Sequence, residues 1–348
     1  MKKIFYALIV VLVVNICLIP SENVMGESIE SDMGIEISEE NFPDEVLREI
    51  LEKEDENGDG FLSDKEIKCI KSINLDKVWL QDEEHGTEEY QKEDTTNMMV
   101  IPKGLTLTKE EKVKRYCEIN LKGIDKLTSV RGIRLGTGYI KGCEEKIYNL
   151  NLLYKIPKLI GLTFIGNSGI KKLQLYKFQN LKNLTLVWTD FEKINFGKKS
   201  KIEIINMVGC SVKKRLDISQ LKRIKKFYAD YVILTGLKMG KKNRKLEKFY
   251  LLPNNDYLKK CKIKKLDFSN LTNLKKVEVR NWPKLESVKF KKNNKLENLT
   301  IFNCAKLKNL YLENCNKIKK IKVSFNMKIK NITIKKCKNK KRILKKFS

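Results

Sequence analysis

An eleven-residue apolar period runs unbroken through the last third of the chain. Its units begin at Ile263, Leu274, Leu285, Leu296, Leu307, Ile318 and Ile329, and each reads L-x-x-L-x-L followed by a short polar stretch. The fourth and sixth positions are Leu266/Phe268, Val277/Val279, Val288/Phe290, Leu299/Ile301, Leu310/Leu312, Ile321/Val323 and Ile332/Ile334. If Leu, Ile, Val and Phe filled one position in three, chance would produce this run once in ~10¹⁰ trials, so the repetition is real. An eleven-residue period also suits a right-handed coiled coil. On a helix advancing about 100° per residue, however, offsets of 0, 3 and 5 scatter the apolar groups around the axis. On a strand, offsets 3 and 5 face one side. Pro283 and the many Asn residues also oppose a long helix.

One such unit cannot bury its apolar side alone, so units must stack. The expected fold is a parallel β-solenoid of about 22 residues per coil, two units to a coil. The phrase recurs less regularly upstream, at Leu159/Leu162/Phe164, Ile170/Leu173/Leu175, Leu181/Leu184/Leu186, Phe191/Ile194/Phe196 and Ile202/Ile205/Met207. Between Ser211 and Lys262 the register loosens, with Gly236, Gly240 and the turn-rich Pro253-Asn254-Asn255-Asp256, which reads as insertions in one or two coils.

The phrase L-x-x-L-x-L-x-x-N/C resembles the leucine-rich repeat, in the short doubled bacterial form where both halves of a coil carry a strand. The segment Leu121 to Leu135 is similar to the opening repeat of internalin-like secreted proteins. The resemblance covers Ile119 to Asn339 and implies a binding scaffold, without naming a ligand. The ninth positions are Leu271, Trp282, Asn293, Cys304, Cys315, Asn326 and Cys337. In the resembling family an inward Asn at this place hydrogen-bonds the turn backbone, with Cys as a small substitute. That implies buried thiols at Cys304, Cys315 and Cys337. Cys315 and Cys337 lie one coil apart, about 4.8 Å between strands, and this spacing leaves a disulfide open.

A second motif sits near the N-terminus. Residues 55–66 match D-x-[DN]-x-[DN]-G-x5-E at every position. Asp55, Asn57 and Asp59 offer hard oxygens at alternate positions, and Gly60 permits the sharp turn. Phe61 gives its carbonyl, Ser63 ligates directly or through water, and Glu66 closes the shell with two oxygens. This is an EF-hand loop, and Ca²⁺ is the expected ion. Pro43 starts a predicted helix with Val46, Leu47, Ile50 and Leu51 on one face, while Ser63 and Glu66 form a capping box for the exit helix. Asn41-Phe-Pro-Asp-Glu followed by the loop resembles the N-terminal cap of secreted bacterial repeat proteins.

The remaining segments set the compartment. Lys2 and Lys3, an apolar run from Ile4 to Ile19, Pro20 and small Gly26 have the layout of a secretory signal peptide, with an uncleaved anchor as the alternative. The expected organisation is a signal peptide over 1–26, a helical cap over 27–75 and an acidic insert over 76–118. A solenoid over 119–339 and a basic tail over 340–348 complete it. The mature chain is then secreted or held at the cell surface, with no membrane span after cleavage.

The formal charge of +29 is unevenly distributed: 25 acidic against 9 basic residues over 27–110, and 29 basic against 5 acidic over 259–348. Export argues against nucleic acid. The basic face suits a protein partner, a glycan or an anionic cell-wall polymer, or is simply solvated. Catalysis finds no support. His85 is the lone His, in a solvated acidic context, and neither a Walker loop nor a nucleophile elbow accompanies it. Binding is therefore the expectation, with Phe302, Tyr311, Phe325, Lys320 and Lys322 as candidate contact residues. The alternative is a wall-associated structural protein retained by its basic charge on anionic polymer.

Overall fold

The computed structural model describes residues 34–77, 108–137, 144–166, 169–324 and 329–345. The expected signal peptide, His85, Phe325 and Asn326 lie outside them. The chain divides into two compact units, residues 1–169 and 170–348. Among the described residues no helix is long and apolar enough to cross a membrane.

In the first unit a short ribbon, β1 (Ile35–Glu36) antiparallel to β2 (Phe61–Leu62), accompanies helices α1 (Glu45–Leu51) and α2 (Asp64–Cys69). Asp44 caps α1 by accepting the Leu47 N–H, and Val46, Leu47 and Leu51 are buried. Strand β3 (Ser72–Asp76) follows at once. After the one-turn α3 (Lys109–Lys112) come β4 (Glu118–Asn120), β5 (Gly132–Gly136), β6 (Lys146–Tyr148) and β7 (Gly161–Ile165). Strand β3 pairs in parallel with β5, β5 with β7, and β4 with β6. The stack of parallel strands thus takes in residues upstream of position 119. Ile73 and Leu75 supply its two inward side chains.

The second unit is a parallel β-solenoid. Its front sheet holds β9 (Asn183–Val187), β12 (Ile204–Val208), β15 (Lys226–Leu234), β17 (Lys248–Pro253), β19 (Lys276–Arg280), β21 (Asn298–Phe302) and β23 (Lys320–Val323), each parallel to the next. Shorter strands close the other side. These are β8 (Lys172–Gln174) with β11 (Lys193–Asn195), β14 (Leu216–Asp217) with β16 (Leu237–Lys238), and the ladder β18 (Lys265–Asp267), β20 (Ser287–Lys291), β22 (Asn309–Glu313), β24 (Asn331–Lys335). A corner ladder joins β10 (Asp190–Phe191), β13 (Ser211–Val212) and the end of β15. Helix α4 (Lys340–Leu344) follows β24, with Ile343 buried.

The coil is the expected 22 residues: Lys276 faces Asn298, which faces Lys320, and Ser287 faces Asn309, which faces Asn331. Successive eleven-residue units alternate between the two sheets. Of the 21 aliphatic and Phe slots, all are buried but Ile321, Val323, Ile329 and Ile332, which belong to the last coil. The region with loose phrasing keeps its spacing, since Lys226 faces Lys248 one coil on. It departs from that spacing at two places: a one-residue register shift between β15 and β17 at Ala229/Val232, and a corner where a 3-10 turn over Asn255–Lys260 lengthens the step from β17 to β19.

Two further positions of the unit are fixed by backbone geometry. The eighth position, at Asn270, Asn281, Lys292, Asn303, Asn314 and Lys336, has φ of +65°, +58°, +60°, +53°, +54° and +51°. Each corner turns through the left-handed region, where Asn is the best-tolerated side chain after Gly. The ninth position points inward and meets the carbonyls of the coil beneath. Asn293 Nδ2 donates to Phe268 O and Leu271 O at 2.8 and 3.0 Å, and Trp282 Nε1 donates to Leu251 O at 3.2 Å. Cys304, Cys315 and Cys337 are buried, and Cys315 and Cys337 are free thiols, as is Cys210 in an upstream coil. Burial pushes Cys304 up to about 11 and Cys315 up to about 12, so neither is a thiolate at neutral pH.

The core is stitched by rings. Phe227 stacks on Phe249 (5.2 Å), Phe249 meets Phe268 edge-on (5.0 Å), and Phe268 stacks on Phe290 (4.8 Å). Phe268 is fully buried, so Phe268→Ala is expected to cost about 3–5 kcal/mol. A urea melt checks it, with retained far-UV β signal showing that the coils still form.

Candidate functional site

Two regions carry the residues with chemistry, one in each unit. In the first unit, the 55–66 loop joins α1 to α2. Asp55 accepts from the Gly58 and Gly60 amides at 2.8 and 2.9 Å, and Asp59 accepts from the Phe61 amide at 2.8 Å. Asn57 Nδ2 donates to Asp59 at 2.8 Å. Gly58 and Gly60 have φ of +69° and +81°, the conformation that wraps three oxygen-bearing side chains around one turn. Across the loop, the Glu66 carboxylate accepts from Ser63 N and Ser63 Oγ at 2.8 and 2.6 Å and from Glu56 N at 2.8 Å. The reciprocal bond from Glu66 N to Ser63 Oγ completes the expected capping box. Burial raises the Glu66 carboxyl, but the bonds from Ser63 and Glu56 outweigh it and hold it below the usual carboxylate range.

The loop thus gathers Asp55, Asn57 and Asp59 at one end and Ser63 and Glu66 at the other, with the Glu56 amide bridging them. Phe61 is an exposed side chain on β2, and the ribbon to β1 holds its backbone. Among the described residues no three Asp, Glu, His or Cys side chains form a closed metal cluster. The donor set nevertheless fits a hard divalent cation: every side-chain donor is an oxygen, and Asp55, Asp59 and Glu66 bring three formal negative charges.

At the start of α1 lies a feature the sequence did not announce. Lys77 and Asp44 form an ion pair at 2.9 Å with both side chains 2% exposed. Asp44 Oδ1 caps α1, while its Oδ2 accepts from Lys77 Nζ and from Asn120 N at 2.9 Å. Lys77 Nζ also donates to Glu118 O at 2.6 Å. Arg115 adds contacts to Glu45 and Glu49 on α1, at 3.2 and 2.9 Å. The helix that enters the loop is therefore clasped to strands β3 and β4 by buried charge. Burial lowers the Lys77 pKa, and Asp44 only partly offsets it. A lone Lys in an acidic stretch gives no periodic signal, so sequence patterns could not place it.

In the second unit, the outward side chains of the front sheet fall into columns because the register is in step. One column reads Lys226, Lys248, Lys276, Asn298, Lys320 and the next Asn206, Tyr228, Tyr250, Glu278, Thr300, Lys322. Tyr228 and Tyr250 stack at 4.7 Å, Lys276 Nζ sits 4.9 Å from the Tyr250 ring, and Arg280 lies 5.6 Å from the exposed Phe302 ring. The Tyr250 hydroxyl and Glu278 hold Lys276 above its usual pKa. Burial and the nearby Glu278 raise Asp230, against the Tyr231 amide that favours its charged form.

Of the expected contact residues, Phe302, Lys320 and Lys322 share this face. Tyr311 lies on β22 in the opposite ladder, bonded to Glu313 and 5.7 Å from Lys289. It joins no patch with Phe302. The tyrosines were missed, although Phe227-Tyr228 and Phe249-Tyr250 repeat one coil apart; the loosened phrase around them hid the match. Compared with known proteins, the chain matches no family model and no curated protein.

Removing one partner of the buried clasp strands the other's charge, which typically costs about 3–5 kcal/mol. Lys77→Met is expected to lower the first unit's melting temperature sharply, and Asp44→Asn in the same chain to recover part of the loss. Hydrogen exchange at the α1 amides checks both.

Proposed function

We propose that this chain is a secreted or cell-surface leucine-rich-repeat protein with a calcium-binding EF-hand cap, non-enzymatic, whose front face binds a protein or glycan partner. The repeat identity is supported by the polar ninth position, where Trp282 and Asn293 donate to backbone of the preceding coil. The binding reading rests on one observation above all. The columns of the front sheet set stacked Tyr228 and Tyr250 and exposed Phe302 among Lys276, Glu278 and Arg280, a surface of rings and charges on a rigid lattice. Such a face suits contact with a partner that presents both apolar edges and acidic or hydroxyl groups. The test is capture from envelope and host extracts at high salt. Retention on the native chain and loss on Tyr250→Ser/Phe302→Ser supports a specific face. Release of everything at moderate salt favours the alternative, electrostatic retention on anionic wall polymer through the lysine column.

For calcium, Asp55, Asn57, Asp59, Phe61, Ser63 and Glu66 are the residues that would hold the ion. Its contribution would be to neutralise the loop's carboxylates. A lone extracellular loop of this type has a Kd on the order of 10⁻⁴–10⁻³ M, so saturation needs millimolar ion. Melts in calcium and in chelator are expected to differ, and Glu66→Gln to erase the difference; identical melts in all three cases refute the calcium reading. Without calcium, stability contributed by the lowered Glu66 pKa is present at neutral pH and lost as pH falls through that pKa.

A further inference from the structure

The front sheet ends at β23, and the chain records what a next strand there should look like. Just before each front strand the charge alternates coil by coil, through Glu203, Lys225, Glu247, Lys275, Glu297 and Lys319. The pairs Lys225–Glu203, Lys275–Glu247 and Lys319–Glu297 close at 2.6, 3.1 and 3.3 Å. The carbonyl of each of these residues takes two amides from the following coil. Lys275 O accepts from Glu297 N and Asn298 N at 2.9 and 3.1 Å, and Glu297 O accepts from Lys319 N and Lys320 N at 2.8 and 3.0 Å. At Lys319 the series stops. Its carbonyl accepts instead from the Arg342 guanidinium at 3.1 Å, which also reaches Ile318 O at 2.6 Å. A side chain of α4 stands where the amides of another coil would come.

Beyond that point β23 is bare on its outer edge: among the described residues, no strand pairs with it there. Ile321 and Val323 are half-buried, whereas Leu299 and Ile301, their partners on β21, are buried. A groove of about 350 Å³ runs alongside, floored by Ile318, Ile321 and Ile343, with Lys320, Lys322 and Arg342 on its rim.

We propose that this groove accepts an extended acidic segment of a partner protein as an added β-strand. The segment's backbone pairs with the free edge of β23. One row of its side chains is apolar and covers Ile321 and Val323. The other row is carboxylate and meets Lys320 and Lys322, while a further acidic residue just ahead of the segment would meet Lys319 and continue the alternation. A second copy of this edge does not suit, because two such strands would set Lys320 and Lys322 against like charges. The site lies at the end of the front sheet and uses neither the stacked tyrosines nor Phe302, on which the front-face reading rests.

The test is fluorescence anisotropy on the purified chain with a labelled eight-residue peptide alternating glutamate and valine. Saturable binding is expected, with none for the lysine–valine counterpart. Lys320→Glu/Lys322→Glu is expected to weaken binding about tenfold or more, as is N-methylation of alternate peptide amides, which blocks strand pairing and leaves the charge. Lys241→Glu/Lys242→Glu, a change elsewhere on the solenoid, should leave it intact. Both double variants alter surface lysines, and circular dichroism confirms that they fold. Absence of binding, equal binding of the N-methylated peptide, equal loss in the Lys241/Lys242 variant, or equally tight binding of polyphosphate would each overturn the proposal. The last two outcomes would mark a general polyanion surface.

Discussion

A five-residue strand is not stable alone, and everything in this molecule follows from how each strand borrows stability from its neighbours. The apolar third of each eleven-residue unit is too small to enclose a core. Stacking in register solves this twice over. It covers Leu299 and Ile301 by the coils on either side, and it satisfies their backbone groups from the same coils. The register then propagates to positions that play no part in the core. Outward side chains line up in columns at about 4.8 Å, so a repeated residue becomes a surface stripe. That is how Tyr228 and Tyr250 come to be stacked, and how Lys226 and Lys248 come to be neighbours.

The corners impose the complementary constraint. To return the chain in eleven residues, each unit must turn sharply, and the eighth residue pays with a positive φ. Asn at four of these six corners matches the backbone preference for that conformation, which Lys292 and Lys336 adopt at the other two. The ninth residue then enters the core beside carbonyls that the turn has left without partners. A donor is needed there, which Asn293 and Trp282 supply fully. The thiols of Cys304, Cys315 and Cys337 are smaller and weaker donors, and their Sγ atoms lie 3.5, 3.5 and 3.3 Å from carbonyls of their own turns. Both are free of each other as disulfide partners, since Cys315 and Cys337 are each thiols despite lying one coil apart.

Legibility in the sequence tracked periodicity. Where the phrase repeats strictly, from Ile263 onward, strand positions, facing and coil length could all be read from offsets alone. Ser211 to Lys262 was legible only as irregular, because Ala229 and Pro253 weaken the apolar phrase there; the irregularity is a one-residue register shift at Ala229/Val232 and the insert at 255–260. The 55–66 loop was legible because its ligand types are bound to a fixed spacing, and its capping box is present. The Asp44–Lys77 clasp was not, because a pair separated by 33 residues and buried at 2% exposure leaves no local pattern. The division of Phe302 and Tyr311 between opposite ladders was implicit in the alternation of units, yet a surface aromatic carries no mark of its neighbours.

Net charge proves the least informative quantity, and the reason is structural. A lysine-rich chain suggests a polyanion partner, but part of its charge is already committed internally. Glu203, Glu247 and Glu297 each hold a lysine of the next coil, and Glu192 holds Lys214 in the same manner. Each such exposed pair is worth only about 0–1 kcal/mol. Their value is directional, since a coil slipped by one residue would lose every pair at once along with its apolar facing. Charge here enforces register, and what is left for recognition is the remainder: the columns where lysines repeat without a carboxylate between them, and the last lysine of the alternating series, Lys319, whose side chain pairs with Glu297 of the preceding coil and with no carboxylate of a following one among the described residues.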